Sequence, residues 1–259
     1  MKISAVIPVY NEEKTIHLIV EKVIASFENN FKDHEYEILM VNDGSKDDSW
    51  SVINKLAETH QHIACFNQPQ NMGKGAAITR GFKESSGDFV IVQDADLEYD
   101  PEDYPALFKP LFDNKADVVY GSRFKGETSR VLYYWHSLGN SFLTFLSNCF
   151  TNLNMTDMET CYKVFRGDLI RKMILTSQRF GIEPEMTAKI AKVKDIRIYE
   201  VPVSYFGRTY EEGKKIGWKD GVSALWCIIK FNLFTSYEDS FVIDEATLRK
   251  QLKTVSDAN

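Results

Sequence analysis

The sequence predicts an α/β fold, a mostly parallel sheet with helices on both faces, and two observations carry that expectation. Five short runs, 3–8, 37–41, 63–67, 89–93 and 118–120, are β-branched or apolar almost throughout. Continuous apolar runs mark strands buried on both faces, whereas a half-exposed strand would alternate. Helix-period stretches separate the runs, and strand–helix alternation closes into a parallel sheet.

The elements follow in order. The stretch 14–27 sets Ile16, Ile19, Val20, Val23 and Ile24 on one stripe, and 50–57 does the same with Trp50, Ile53, Leu56 and Ala57. Asp47 and Asp48 stand where an N-cap and a first-turn acid favour the second helix. Beyond 120 the pattern loosens. A basic segment, 123–130, leads into Tyr133, Tyr134 and Trp135 and a helix reaching Phe150. Helical spacing returns over 168–176 and 183–191, and 196–203 reads as a strand. An amphipathic C-terminal helical segment places Val222, Leu225, Trp226, Ile229 and Leu233 on one face. That face suits either a membrane interface or the sheet, and periodicity does not choose between them. The division expected is one domain over 1–235, with halves 1–122 and 123–235, followed by a charged, peripheral tail, 236–259.

Composition excludes several classes. The 259 residues carry 31 Lys+Arg against 37 Asp+Glu, a net charge of −6. No nucleic-acid partner is expected, because phosphate neutralisation needs a basic face. Cys65, Cys149, Cys161 and Cys227 form no C-x-x-C pair, which removes zinc knuckles and redox motifs. The apolar run at the start stops at Pro8 without a small-residue cleavage site, so it does not read as a leader. The most apolar stretch, 222–234, is interrupted by Lys230 and Asn232 and falls short of the ~20 residues a membrane helix needs. The expectation is a cytoplasmic protein, free or peripheral on the cytosolic face of a membrane.

Ligands of open parallel sheets bind beyond the carboxyl ends of the strands. There the sequence offers Pro8, Tyr10 and Glu12, then Asn42-Asp43-Gly44-Ser45, then Gly73-Lys74-Gly75, then Asp94-Ala95-Asp96 with Glu98. Each alone reads as a turn or a helix entry; four at one rim are far harder to dismiss. Two carboxylates at i and i+2 leaving a buried strand are costly unless a cation offsets them. Asp94, Asp96 and Glu98 therefore form a candidate site for Mg²⁺ or Mn²⁺ on a diphosphate, the alternative being a solvated acidic turn. A nicotinamide dehydrogenase is excluded, because Ile7-Pro8-Val9-Tyr10-Asn11 fills the turn where G-x-G-x-x-G would stand.

In their order and spacing, Val6–Glu12, Val41–Ser45, Asn71–Gly75 and Asp94–Asp96 resemble the motifs of family 2 glycosyltransferases of the GT-A (Rossmann-like) fold. Within that family the chain is most similar to dolichyl- and polyprenyl-phosphate mannose or glucose synthases, the likeness running from residue 3 to about 235. The resemblance implies an inverting, divalent-metal-dependent transfer of a hexose from a nucleotide-diphosphate sugar, of GDP-mannose or UDP-glucose type, to a polyprenyl or dolichyl phosphate. A saccharide acceptor, or a protein that only binds the sugar nucleotide, are the alternatives.

The resemblance also implies roles. Pro8, Tyr10 and Glu12 line the nucleoside pocket, Asp43 reads the base edge, Lys74 and Ala95 lie against the nucleotide, and Asp94, Asp96 and Glu98 hold the ion. Asp157, in a stretch similar to the family's Asp-x-x-Ser-Gly-Phe-Arg, is the acid near the acceptor and a candidate catalytic base. Arg123, Arg208 and Lys214 meet donor and acceptor phosphates, a task suited to forked guanidinium donors. Lys215 rivals Lys214, and Arg130 and His136 are weaker candidates. Three departures stand out: Asn42-Asp43 replaces a commonly doubled acid, Glu98 stands where some relatives have Gln, and Thr160-Cys161 replaces a pair of small residues.

Overall fold

The computed structural model describes residues 1–126, 130, 133–209 and 218–254. The first half is the expected alternation: β1 (Lys2–Val9), α1 (Ile16–Asn30), β2 (Glu35–Asn42), α2 (Ser49–Thr59), β3 (Ile63–Asn67), α3 (Lys74–Glu84), β4 (Phe89–Val92), α4 (Tyr104–Phe112) and β5 (Val118–Ser122). Then come α5 (Tyr134–Thr151), β6 (Lys163–Arg166), α6 (Gly167–Ile170), α7 (Ile182–Ile190), β7 (Ile198–Pro202), α8 (Trp218–Leu233) and α9 (Glu245–Thr254). Among the described residues the strands form one seven-stranded sheet in the order β3-β2-β1-β4-β6-β5-β7. β1, β2, β3 and β4 run parallel, as do β5 and β7, while β6 is antiparallel to both of its neighbours.

The predicted stripe of α1 is the buried one: Ile16, Ile19, Val20 and Val23 are inaccessible to solvent. At the start of α2 the backbone cap is Asp48, but the carboxylate that takes the Ser49 N–H, at 3.1 Å, is Asp47. β6 had no apolar run to announce it. It is wholly buried although it carries Lys163 and Arg166. A buried charge requires a partner, and Arg166 finds two in the Leu252 carbonyl, at 2.9 Å, and Asp117.

Two expectations are corrected. The helix expected over 168–176 ends at Ile170, because the Ile174 N–H donates to the Ser240 carbonyl and the Lys172 carbonyl accepts from Val242 N, tying 172–174 to the segment 240–242. That segment is no loose tail. Phe241, Leu248 and Leu252 enter the main core, and α9 packs on α6. Its apolar residues are few, but Leu248 and Leu252 are four apart and so share one helix face.

α7 is buried all round despite Glu183, Glu185 and Lys189. Glu185 accepts from Thr176 N (2.9 Å), Ser177 N (2.7 Å) and Lys189 Nζ (2.6 Å). Burial alone would push its carboxyl up; the Lys189 ammonium and the Ser177 donors outweigh burial and hold it below the ordinary glutamate value. Because its folded-state pKa is depressed, the stabilisation is present above the unfolded value and lost as pH falls through the folded one. Glu185→Gln, which leaves Lys189 charged and unpaired, is expected to cost about 3–5 kcal/mol in urea unfolding at pH 7. A loss under about 1 kcal/mol would refute the account.

Candidate active site

The β1–α1 and β2–α2 loops are stitched to one another across the carboxyl rim of the sheet. Asn11, in the left-handed region at φ 52°, donates its N–H to Ser45 Oγ (3.0 Å) and accepts from Lys46 N (2.8 Å). Glu12 N donates to Ser49 Oγ at 2.8 Å. Pro8 and Tyr10 lie at the end of β1 and beyond it, half-buried beside this seam. Asp43 is buried, with Oδ1 accepting from Met72 N (2.7 Å) and Gln68 Nε2 (3.0 Å) and Oδ2 from Gly73 N (2.8 Å). Burial pushes its carboxyl up, against those two backbone donors and the Arg179 charge. The loop it holds requires glycine. Gly73 has φ +100°, and a Cβ there would sit 2.4 Å from the Gln178 carbonyl oxygen.

The next layer is made of acids matched by cations. Lys74, first residue of α3, places Nζ 2.7 Å from Asp94 Oδ1 and 3.9 Å from Glu183 Oε1. Burial opposes its charge, but Asp94, Cys161 and Glu183 outweigh burial and raise the ammonium's pKa well above the usual value. Glu183 in turn takes Lys163 Nζ, which also donates to the Thr160 carbonyl. Two residues beyond Asp94, past the buried Ala95, Asp96 Oδ2 accepts from Arg208 Nη2 at 2.6 Å. Arg208 also lies 3.5 Å from both Glu12 and Glu98, and its backbone N–H donates to Glu98 Oε1 at 2.7 Å. Tyr205 donates its hydroxyl to the other Glu98 oxygen at 3.0 Å.

Do these acids fit a divalent ion? Burial, then the Asp94 and Glu98 charges, push Asp96 up to about 7 despite Arg208. One cation, Arg208, faces three acids, Glu12, Asp96 and Glu98, and their oxygens are hard donors of the kind Mg²⁺ and Mn²⁺ take. In chemistry the donor set fits. As they stand, however, no three His, Cys, Asp or Glu side chains among the described residues are gathered to ligate an ion. Lys74 and Arg208 occupy the carboxylates instead.

Further along the rim, Asp157 is inaccessible to solvent and engaged with Arg123. Oδ2 accepts from Arg123 Nε (2.7 Å) and N (3.1 Å), and Oδ1 from Nη2 (2.7 Å). The guanidinium lies over the Tyr205 ring, 5.1 Å from its centroid. Glu200 of β7 fixes the loop from behind by accepting from Thr156 N (2.9 Å) and Asp157 N (3.0 Å). Arg123 and Arg208 thus meet through one tyrosine. Lys214 and Lys215 lie outside the described residues. Arg130 donates to the Gly207 carbonyl at 3.1 Å, and His136 sits against the Tyr133 ring.

The helix that Arg123 reaches through Asn140 is apolar on its outer side. α5 exposes Trp135 (75%), Leu138, Phe142 (54%) and Phe145, and α8, packed against it, exposes Val222, Trp226 (59%) and Leu233. The other face of α8, with Ala224, Cys227, Ile228 and Phe231, is buried, and Cys227 and Phe231 cluster with Ala188 of α7. Of the face that the sequence singled out, Val222, Trp226 and Leu233 point outward, and the buried face of α8 packs on α7 and α5. Leu225 and Ile229 are half-buried between the two faces. No helix among the described residues is long and apolar enough to cross a membrane.

The sequence of residues 4–174 matches the family described as Glycosyl transferase family 2. The chain belongs to that family. Among its relatives, dolichyl-phosphate beta-glucosyltransferase ALG5D of Trichomonas vaginalis is 31% identical over 217 residues, covering 78% of this chain and 65% of that protein. Undecaprenyl-phosphate 4-deoxy-4-formamido-L-arabinose transferase of Photorhabdus laumondii is 29% identical, covering 82% of this chain and 62% of that protein. The chain therefore spans just under two thirds of the length of these relatives. In fold it is similar to glucosyl-3-phosphoglycerate synthase of Mycobacterium tuberculosis, solved with Mn²⁺, UDP and phosphoglyceric acid, with a TM-score of 0.66 at 19% identity over 90% of this chain and 78% of that one. The expected GT-A architecture of this family 2 chain is thus found.

Four groups that the sequence did not single out belong to the site: Lys163, Glu183, Tyr205 and Asn140, the last donating to Asp157 Oδ1 at 3.2 Å. Glu159 joins them, with a buried Oε1 that lacks a hydrogen-bond partner and a carboxyl that burial, then Glu183, push up to about 7. The available signal was charge inside an apolar strand for Lys163 and acids in a helix's first turn for Glu183. Asp43→Ala, which strips acceptors from Met72 N and Gly73 N, is expected to cost about 2–4 kcal/mol in chemical denaturation. Wild-type stability would contradict the role of Asp43 as the clasp of this loop.

Proposed function

We propose that the chain is an inverting hexosyltransferase that moves sugar from a nucleotide-diphosphate donor to a polyprenyl or dolichyl phosphate at a membrane surface. The observation that carries this reading is the neighbourhood of Arg123. A guanidinium held at the rim by a helix whose outer side is exposed and aromatic suits an acceptor that is phosphate at one end and hydrocarbon at the other. The names of the relatives support the same acceptor class. Trp135, Phe142, Phe145 and Trp226 would rest on the bilayer interface, where aromatic side chains are favoured. The nucleotide would lie along Pro8, Tyr10, Glu12 and Ala95, with Lys74 near its phosphates and Asp43 behind, shaping the loop that receives it.

In the reaction, an acceptor phosphate oxygen attacks the anomeric carbon, and the bond from that carbon to the diphosphate oxygen breaks. A phosphate monoester, with a second pKa near 6, is already largely dianionic at pH 7. It needs aiming more than deprotonation. Asp157, whose oxygens are committed to Arg123 and Asn140, serves that aim by holding the guanidinium; its use as a base would matter for a hydroxyl acceptor. Arg208, and Lys214 with it, would offset charge on the donor and acceptor phosphates. Asp94, Asp96 and Glu98 would hold Mg²⁺ or Mn²⁺, which stabilises the charge developing on a departing diphosphate.

Two measurements test this. Asp96→Ala should lower turnover by about 1,000-fold or more, several kcal/mol of transition-state stabilisation, with the fold unchanged by circular dichroism; near-full activity would remove the metal site. Radiolabelled GDP- and UDP-sugars supplied with polyprenyl phosphate in vesicles, or with saccharides, should give label in the organic phase, and Phe142→Glu should weaken vesicle binding and transfer together. Label confined to water-soluble product would overturn the lipid acceptor.

A further inference from the structure

α5 is built inside out. Asn140, Thr144 and Asn148 are spaced i, i+4, i+8 and so form one stripe, and that polar stripe is the one facing the protein. Thr144 Oγ1 accepts from Met158 N at 3.2 Å. Asn148 donates to the Met155 carbonyl at 2.8 Å and accepts from Met155 N at 3.2 Å. Asn140 completes the stripe at the site: its amide oxygen accepts from Arg123 Nη2 at 3.0 Å while its NH₂ donates to Asp157 Oδ1 at 3.2 Å. The aromatic residues occupy the opposite side. The helix is thereby fastened, through three polar side chains, to the loop that carries Asp157.

An amide is suited to the place Asn140 fills. It meets a cation with its oxygen and an anion with its NH₂, and only one orientation of the amide satisfies both neighbours. Carboxylate at this position would set like charges against each other, and an aliphatic side chain would leave both partners short of a hydrogen bond.

We propose that Asn140 is a positioning residue for the acceptor. It locks the Arg123–Asp157 fork to α5, so that the guanidinium keeps one direction toward the acceptor phosphate. The inference rests on the reading of Arg123 as the acceptor-phosphate group and adds the element that aims it. A break at Asn140 leaves Arg123 and Asp157 paired with each other but free to turn relative to the helix, so acceptor recognition suffers while donor recognition, on the other side of Tyr205, does not.

The test uses a short prenyl phosphate, citronellyl phosphate, as a soluble probe, with its Kd by calorimetry and the KM values for probe and labelled donor. Asn140→Ala should raise the probe's Kd and KM about tenfold, the loss of one hydrogen bond to charged groups. Donor KM and kcat at saturating probe should stay within about twofold. Asn140→Asp should be worse than Ala, and Asn140→Ser, whose hydroxyl still donates and accepts, should recover part of the loss. A merely structural role would shift donor and probe constants together and lower Tm, and that pattern would overturn the proposal. So would an unchanged probe Kd in Asn140→Ala while the wild type binds the probe, a result that leaves the acceptor reading intact. Failure of the wild type to bind the probe while it glycosylates a saccharide would overturn both.

Discussion

Four acids at the mouth of the sheet each meet a cation from elsewhere in the chain. Asp94 is met by Lys74, Asp96 by Arg208, Asp157 by Arg123, and Glu183 by Lys163. In the low dielectric of a half-buried rim, an acid without its partner would be expensive, and removal of one member of a buried pair strands the other. Of these, Arg208–Asp96, with the longer Lys74–Glu183 contact, ties the second half of the chain to the first. Arg208 closes over Glu12, Asp96 and Glu98, which come from two separate strand ends, and Tyr205 then presents its ring to Arg123. The Asp96 and Asp157 clusters are joined through this segment after β7. A site so arranged suits a ligand that carries both signs, because phosphate oxygens can take over the cations while a metal ion takes over the acids.

The parallel half of the fold was legible because its strands are buried on both faces. Runs such as 3–8 and 89–93 carry an unbroken apolar pattern that no exposed segment imitates. β6 lacked that pattern. Lys163 and Arg166 interrupt it, and their burial becomes tolerable only through Glu183, Asp117 and Leu252, partners far away in sequence. The same limit hid Asn140 from the reading of the site. Its importance comes from lying between two charges 17 residues downstream and upstream, Asp157 and Arg123, and local spacing says nothing of that. The rim motifs were visible because their residue types are costly at strand ends whatever surrounds them. The ion pairs they form depended on which cation reached them first, and for Asp96 that was Arg208, from 112 residues away.

Periodicity located α5 and α8 without saying which side of either faces inward. A helical stripe of aromatic residues reads identically whether it fills a core or faces outward, since a stripe has an inside only relative to the rest of the molecule. In α8 the inward face is apolar as well, so the helix is anchored by ordinary burial of Cys227, Ile228 and Phe231. In α5 only Thr144 and Ser147 are buried, and beside its packing on α7 and α8 the helix is tied by hydrogen bonds to one loop. Such an attachment contributes less by burial than by direction, because each bond fixes an angle as well as a distance.

That difference bears on how the outer face could work at a membrane. If Trp135, Leu138, Phe142, Phe145 and Trp226 each withdrew roughly 100 Å² from water, at ~25 cal/mol per Å² the gross gain would be about 12 kcal/mol. Association costs roughly 4–15 kcal/mol, so the surplus would be small and docking reversible. Reversibility suits a transferase that must meet a water-soluble sugar nucleotide and a lipid in turn. It also explains why direction matters more than adhesion in α5. A weakly held helix cannot drag an acceptor into place, but one bolted by Asn140, Thr144 and Asn148 to the Asp157 loop keeps a fixed angle to the Arg123 guanidinium.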